Sequence, residues 1–310
     1  MKIIDLHCDT ITREHQNNES FFCNEGHIDI KKLQAGQYML QTFAVFTKYN
    51  EKNRKEYCQK YIQRYHQMLE DNQEYVVGVN SYQDIAENNN KIKTLLSLEE
   101  GDVIDDIRDL QKLYHQGVKM VTLTWNYENR LASPATPLNR LTRKNQGLTQ
   151  LGKEYIQELE RLGIIIDVSH LHDQGVRDIL EITTKPIIAS HSNVRHLCNH
   201  PRNLSDELIQ AIASRGGIIG INFYHAFLNK NGKSEIKDMI KHIDYIINLV
   251  GDDFVALGTD FDGIDGPLEI KDASEIQKLV VALNDAGFTT AQIEKICYKN
   301  CLRVFKEILK

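Results

Sequence analysis

Short apolar runs alternate with longer amphipathic stretches from one end of the chain to the other. Runs at residues 2–8, 38–46, 94–98, 118–124, 163–168, 186–190, 217–222 and 254–259 have strand length. Between them, Glu51–Asp71, Val103–His115, Gly152–Leu162, Asp173–Ile182, Ser205–Ser214 and Ser234–Val250 read as amphipathic helices. Eight strands, each followed by a helix or a long connection, predict an α/β fold: a parallel (β/α)8 TIM-type barrel inside a ring of helices. A doubly wound open sheet is the alternative. It would carry a glycine-rich phosphate turn after the first strand, and none stands there.

Two segments depart from the alternation. Residues 125–148 hold two of the five prolines and little periodicity, so they read as a long loop overhanging the active face of the barrel. Residues 273–310 read as two additional C-terminal helices joined at Gly287-Phe288-Thr289-Thr290, with threonine caps. With no internal repeat and no linker composition, residues 1–310 form one barrel domain in this reading.

Composition narrows the class. With 310 residues, 41% of them hydrophobic, the chain can bury a full core. A net charge of −6 with acids and bases intermixed leaves no basic stripe for nucleic acid and no basic patch for a membrane. The first residues read as a strand rather than a leader peptide, and no apolar stretch approaches the roughly 18–20 residues that cross a bilayer. The expectation is a cytoplasmic enzyme. Six cysteines, at positions 8, 23, 58, 198, 297 and 301, are too sparse for a disulfide framework and are expected reduced and mostly buried.

In a parallel barrel the reacting groups come from the C-terminal strand ends. The first run ends in Asp5-Leu-His7-Cys-Asp9, where strand alternation turns His7 and Asp9 the same way and Cys8 the other. Later runs end in Glu99, His170, His191 and Asp260. Each has a bland counterpart. Glu99, followed by Glu100, Gly101 and Asp102, fits a helix-start acid; His172 competes with His170; His191 fits a helix cap; Asp262 competes with Asp260. Together they put metal-compatible side chains on five strand ends of one rim. One catalytic zinc takes about three protein ligands. Five ligands fit two ions about 3.5–4 Å apart if one carboxylate bridges them, and Asp260 then remains for proton transfer.

These residues lie in motifs that resemble the renal, or membrane, dipeptidase family of zinc peptidases, from residue 3 to about residue 265. The motifs are Asp-Leu-His-Cys-Asp at 5–9, Leu-Ser-Leu-Glu-Glu-Gly at 96–101, Leu-Thr-Leu-Thr-Trp-Asn at 121–126 and Gly-Leu-Thr-Gln-Leu-Gly-Lys at 147–153. Further along come Arg-Leu-Gly-Ile-Ile-Ile-Asp-Val-Ser-His at 161–170, Ala-Ser-His-Ser-Asn at 189–193, Pro-Arg-Asn-Leu at 201–204, Asn-Phe-Tyr at 222–224 and Gly-Thr-Asp-Phe-Asp-Gly at 258–263. The resemblance implies two zinc ions per chain, one on His7, Asp9 and Glu99, the other on Glu99, His170 and His191. It implies Asp260 as acid/base, Arg202 as the clasp of the substrate carboxylate and Tyr224 as a substrate contact. Hydrolysis of the single bond of a free dipeptide by a metal-bridging hydroxide follows, with acceptance of a C-terminal D-residue left open and a homodimer allowed.

One departure stands out. Trp125 occupies a position where animal members carry a histidine near the transition state, so it becomes a substrate-side residue whose effect on rate is open. Other binuclear barrel hydrolases open with His-x-His and bridge their metals with a modified lysine on the fourth strand. Here that strand ends in Thr122-Leu-Thr-Trp125. A ligand-binding barrel without catalysis is the remaining alternative, and the filled ligand positions and Asp260 speak against it.

Overall fold

The computed structural model describes residues 1–17, 19–47, 53–87, 90–142 and 147–310. Among these residues, nine strands form one parallel sheet: β1 (Ile3–Asp5), β2 (Tyr38–Phe46), β3 (Val76–Gly78), β4 (Ile92–Glu99), β5 (Val118–Thr122), β6 (Ile165–Asp167), β7 (Ile188–Ala189), β8 (Ile218–Ile221) and β9 (Val255–Leu257). The order runs β2-β1-β9-β8-β7-β6-β5-β4. Pairing of β2 with β4, from Leu40↔Lys93 to Phe46↔Glu99, then closes the ring. Closure of eight strands makes this a TIM-type barrel and removes the open-sheet alternative, which would leave two free edges. The extra strand β3 pairs only with Ile92–Thr94, below the part of β4 that pairs with β5. A three-residue strand has too little pattern to be read from sequence.

Each of the eight apolar runs holds a barrel strand: six strands are shorter than their runs, Tyr38–Phe46 matches its run, and Ile92–Glu99 extends beyond the run at 94–98. The run at 2–8 pairs as strand over Ile3–Asp5, and the run at 186–190 over Ile188–Ala189. The residues that follow serve the rim instead. Inside the barrel, Ile4, Leu40, Leu95, Met120, Ile165 and Ile218 meet in one buried cluster. The C-terminal helix Asn300–Ile308 adds Cys301, Val304, Phe305 and Ile308 to that cluster. A Cβ on Gly163, at the entry to β6, would stand 2.9 Å from the Ile308 carbonyl, which puts this helix under the N-terminal strand ends. The predicted joint in the tail is present: helix Gln277–Asp285 ends before Gly287, and Thr289 forms a capping box with Gln292. A π turn at Lys295–Lys299 lies between the cap and the last helix.

The outer helices Arg54–Asp71, Gln150–Leu162, Asp173–Ile182, Asp206–Ser214 and Ile236–Val250 pack their apolar faces on the strands. The predicted helix Glu51–Asp71 starts in residues 48–52, outside the described residues. The segment expected as helix from Val103 becomes helical only at Asp109. There the Asp109 carboxylate takes the N–H groups of Asp105 and Asp106 and turns the chain first. The long loop contains a short helix, Pro137–Thr142, and reaches the end of β6, where Ala135 N–H donates to the His170 carbonyl at 2.6 Å. Residues 143–146 of this loop lie outside the described residues. All six cysteines are free and only Cys23 is exposed, as expected.

Candidate active site

Five strand ends deliver six side chains to one place. The ligand atoms of His7, Asp9 and Glu99 lie within 4.8 Å of one another, and so do those of Glu99, His170 and His191. Glu99 belongs to both groups, and its two oxygens divide between them. Oε2 stands 3.6 Å from His7 Nε2, while Oε1 stands 3.1 Å from His170 Nε2 and 3.8 Å from His191 Nε2. His7 Nε2 also faces Asp9 Oδ2 at 3.5 Å and Asp260 Oδ1 at 3.8 Å. His7, His191 and Asp260 form a third such group, so Asp260 has ligand-compatible geometry as well.

The donors fit a metal. Both ring nitrogens of His7 and Nε2 of His191 are buried without a hydrogen-bond partner. Such orphaned polar atoms are costly unless something binds them. Imidazole nitrogens with carboxylate oxygens, in groups of three, are a donor set that zinc and other divalent transition metals accept. Burial pushes the His7 pKa down, but the nearby Glu99 and Asp9 carboxylates outweigh it and hold His7 well above its ordinary range. Burial raises Glu99, yet His7 and His170 hold it well below a usual carboxylate. His170 is lowered to about 4 by burial and by Arg202, and burial with the charges of His7 and Arg202 holds His191 well below its ordinary range. Burial, followed by the charges of Asp9 and Glu99 against the opposing pull of His7, lifts Asp260 to about 7. The cluster therefore attracts positive charge on one side and keeps neutral imidazoles on the other.

Backbone strain gathers here. Among the described residues, six non-glycine positions have positive φ, and Glu100 (78°), His170 (66°), Asp260 (62°) and Asp262 (65°) belong to this rim. Left-handed backbone re-aims the side chains of His170 and Asp260 after their strands stop, at a conformational cost of about 1–3 kcal/mol each.

A cavity of about 510 Å³ opens over the cluster. Phe46, Tyr61 and Trp125 line it on one side, Tyr224 and Phe227 on the other. Trp125 packs between Phe46 (4.9 Å between centroids) and Tyr127 (5.5 Å), and its backbone N–H donates to the buried Glu100 carboxylate. Arg202 is buried behind Phe227, which lines the cavity. Its guanidinium stacks at 5.3 Å from the Phe227 ring, one terminal nitrogen donates to the His191 carbonyl at 3.4 Å, and Nε has no partner.

The weaker competitors have other duties. His172 caps the helix Asp173–Ile182, its Nδ1 accepting from Gln174 N–H. Asp262 accepts from the Thr10 hydroxyl and from His27 N–H, both at 2.7 Å, and so fastens the loop at 19–29 to the rim. Cys8 points into the core, away from His7 and Asp9. Sequence reasoning passed over the supporting polar residues. Asn126 Oδ1 stands 3.1 Å from His170 Nδ1, Asn222 Nδ2 donates to Asp260 Oδ2 at 2.8 Å, and the Ser190 hydroxyl stands 2.7 Å from His191 Nδ1. Their only signal in the chain is a polar side chain where an apolar run ends.

Comparison with known proteins now adds the class. The family model described as membrane dipeptidase (peptidase family M19) matches residues 1–310. The chain belongs to that family, and so to the metallo-dipeptidases, which hydrolyse peptide bonds. An uncharacterised protein in the pqqA 5' region of Klebsiella pneumoniae is 37% identical over 211 residues, 65% of this chain and 76% of that one. An uncharacterised dipeptidase of Schizosaccharomyces pombe is 36% identical over 225 residues, 71% of this chain and 54% of its own length. Among solved structures, a Rhodobacter sphaeroides metallopeptidase liganded with a phosphinate mimic of L-Ala-D-Ala superposes with a TM-score of 0.91 at 20% identity, over 99% of both chains. The probable dipeptidase PvdM of Pseudomonas aeruginosa gives 0.85 at 23% identity, over 92% of this chain and 89% of that one. At these identities the two structures speak for the fold.

Proposed function

We propose that this chain hydrolyses free dipeptides with two zinc ions, one held by His7, Asp9 and Glu99 and the other by Glu99, His170 and His191. The observation that carries the reading is the division of the Glu99 carboxylate, each oxygen facing a different set of donors. When bound, a zinc pair activates water and polarises the scissile carbonyl.

The chain's own residues do the rest. Asp260 carries the proton: Asn222 holds its Oδ2, which leaves Oδ1 turned toward the cluster to take a proton from water and return it to the leaving amine. Arg202 supplies the planar fork that suits a terminal carboxylate. Its segment follows β7, and Tyr224 follows β8. Phe46 ends β2 and Trp125 follows β5, on the other side of the ring. A dipeptide clasped at Arg202 then spans the rim, and the aromatic wall receives its amino-terminal side chain. A buried cation at the carboxylate end leaves no room for a third residue.

Hydrolysis of L,L- and L,D-dipeptides by the zinc-loaded protein tests this, with tripeptides and N-acetylated dipeptides alongside. The R. sphaeroides complex with an L-Ala-D-Ala mimic makes the D-residue arm worth including. Cleavage of free dipeptides alone, lost on chelation, is expected. Cleavage of tripeptides at comparable rates would remove Arg202 from its role. No helix among the described residues is long and apolar enough to cross a membrane. A cytoplasmic location is part of the proposal, checked by fractionation.

A further inference from the structure

Asp167 ends β6, fully buried, and four donors converge on its carboxylate. Oδ1 takes the N–H groups of Ser169 at 2.9 Å and Ser190 at 2.8 Å, and Oδ2 takes the hydroxyls of Thr122 at 2.6 Å and Ser190 at 2.5 Å. An ionised carboxylate only accepts, so the Ser190 hydroxyl proton is committed to Asp167. The lone pairs of Ser190 Oγ are left for its other two neighbours, Ser169 Oγ at 3.2 Å and His191 Nδ1 at 2.7 Å. Ser169 Oγ accepts from His191 N–H at 3.0 Å and has its own proton free to give. The imidazole must therefore bring a proton to the 2.7 Å contact. His191 carries its hydrogen on Nδ1, and its lone pair sits on Nε2, the buried atom without a partner that faces Glu99 Oε1.

We infer that Asp167 and Ser190 are positioning residues, a carboxylate–serine–histidine relay that fixes His191 in the tautomer and orientation of a metal ligand. The inference rests on the reading of His191 as a ligand. Outer partners of this kind hold the ring and raise its basicity. The device is unequally shared. His170 has a lighter version in Asn126, and neither nitrogen of His7 has a hydrogen-bond partner. The side of the cluster built from His170 and His191 is pre-organised by the protein, and the His7 side is not. Loss of the Ser190 hydroxyl is therefore felt at one of the two ions and spares the other.

Zinc affinity by chelator competition tests this, together with the visible absorption of the cobalt(II)-loaded chain. Ser190→Ala cuts the link to His191 and leaves Asp167 its two backbone bonds and Thr122. The expected result is one ion bound about 10–100-fold more weakly, a shifted cobalt band, and a second ion bound as in the wild type. Thr122→Val takes a bond from the same carboxylate without touching His191, and it leaves both affinities unchanged. Wild-type affinity for both ions in a folded Ser190→Ala chain would overturn the inference, and so would an equal loss in Thr122→Val. If Ser190→Ala does not fold, Ser190→Cys, close in size and a weaker donor, is read against the same two outcomes. A wild-type chain that takes up neither zinc nor cobalt would overturn the metal reading itself, which is a different failure from unchanged affinity in Ser190→Ala.

Discussion

Glu99 and Asp260 are both buried carboxylates within reach of His7, and their surroundings separate them. Glu99 ends a strand paired on both sides and spreads its oxygens between two imidazole sets. Asp260 stands on left-handed backbone with one oxygen tied to Asn222. Glu99→Ala is expected to lose metal and activity together, read as zinc per chain and dipeptide turnover. Asp260→Asn is expected to keep two ions per chain while kcat falls by about 10²–10⁴, the usual contribution of one proton-transfer group. Loss of an ion in Asp260→Asn would make it a ligand, which its grouping with His7 and His191 permits geometrically. The competing residues were hard to separate in the sequence for a related reason. His170 and His172 differ only in which backbone angles follow β6, and those angles are set by the strand's end and the loop from β5.

At the scale of the element, the strand ends around β7 are held by close approach. Gly220 ends up beside the Ser190 carbonyl, which a Cβ would meet at 2.0 Å, and Gly258 beside the same atom, at 1.7 Å. The contact is with backbone, which cannot swing aside as a flexible side chain would. Gly220→Ala is expected to destabilise the chain by about 2–4 kcal/mol and, by displacing Ser190 and His191, to weaken metal binding as well. Thermal melts of the metal-free and zinc-loaded variant measure the two effects separately. Strand positions were legible because a barrel strand is buried on both faces and so forms an unbroken apolar run. Their ends were not, because pairing stops where a neighbouring strand stops, and neighbours are far apart in sequence. The helix at Asp109–His115 shows the same limit: Val103 and Ile104 are buried and fit the helical pattern, yet they are irregular backbone that precedes the turn Asp109 holds through the N–H groups of Asp105 and Asp106.

For the whole molecule, metal and pH act on the balance between folded and unfolded chain. Ions that bind only the folded cluster stabilise it, so chelation is expected to lower the melting temperature, and zinc to restore it in a concentration-dependent way. Glu14, which belongs to none of the ligand groups, sets a pH dependence of its own. It is buried in the helix Thr10–Asn17, with Oε1 unpartnered and Oε2 3.4 Å from Arg64, and burial raises its pKa to about 8. Between the ordinary glutamate value near 4.5 and about 8, the folded chain holds a proton that the unfolded chain has released. Stability from this group therefore falls as pH rises through that window and levels off above it. Glu14→Gln removes the titration, so the variant is expected to gain on the wild type steadily from pH 4.5 to 8 in denaturant unfolding at a series of pH values. A constant difference across that range would rule the assignment out.

The chain's own pattern determined the barrel, because eight apolar runs separated by amphipathic segments have few other ways to bury themselves, and because polar residues ending those runs can only gather at one rim. It also determined the kinds of ligand present, His, Asp and Glu, as side-chain chemistry does not depend on the fold. Tertiary structure alone decided which oxygen of Glu99 faces which imidazole, and that Asn126, Ser190 and Asn222 stand behind the cluster. It alone buried Arg202 against Phe227. Apart from Ser190, the chain neighbour of His191 that Asp167 holds in place, those are contacts between segments 25 to 92 residues apart, fixed by ring closure and by the angle at which each strand ends, and neither is a property of any local stretch of sequence.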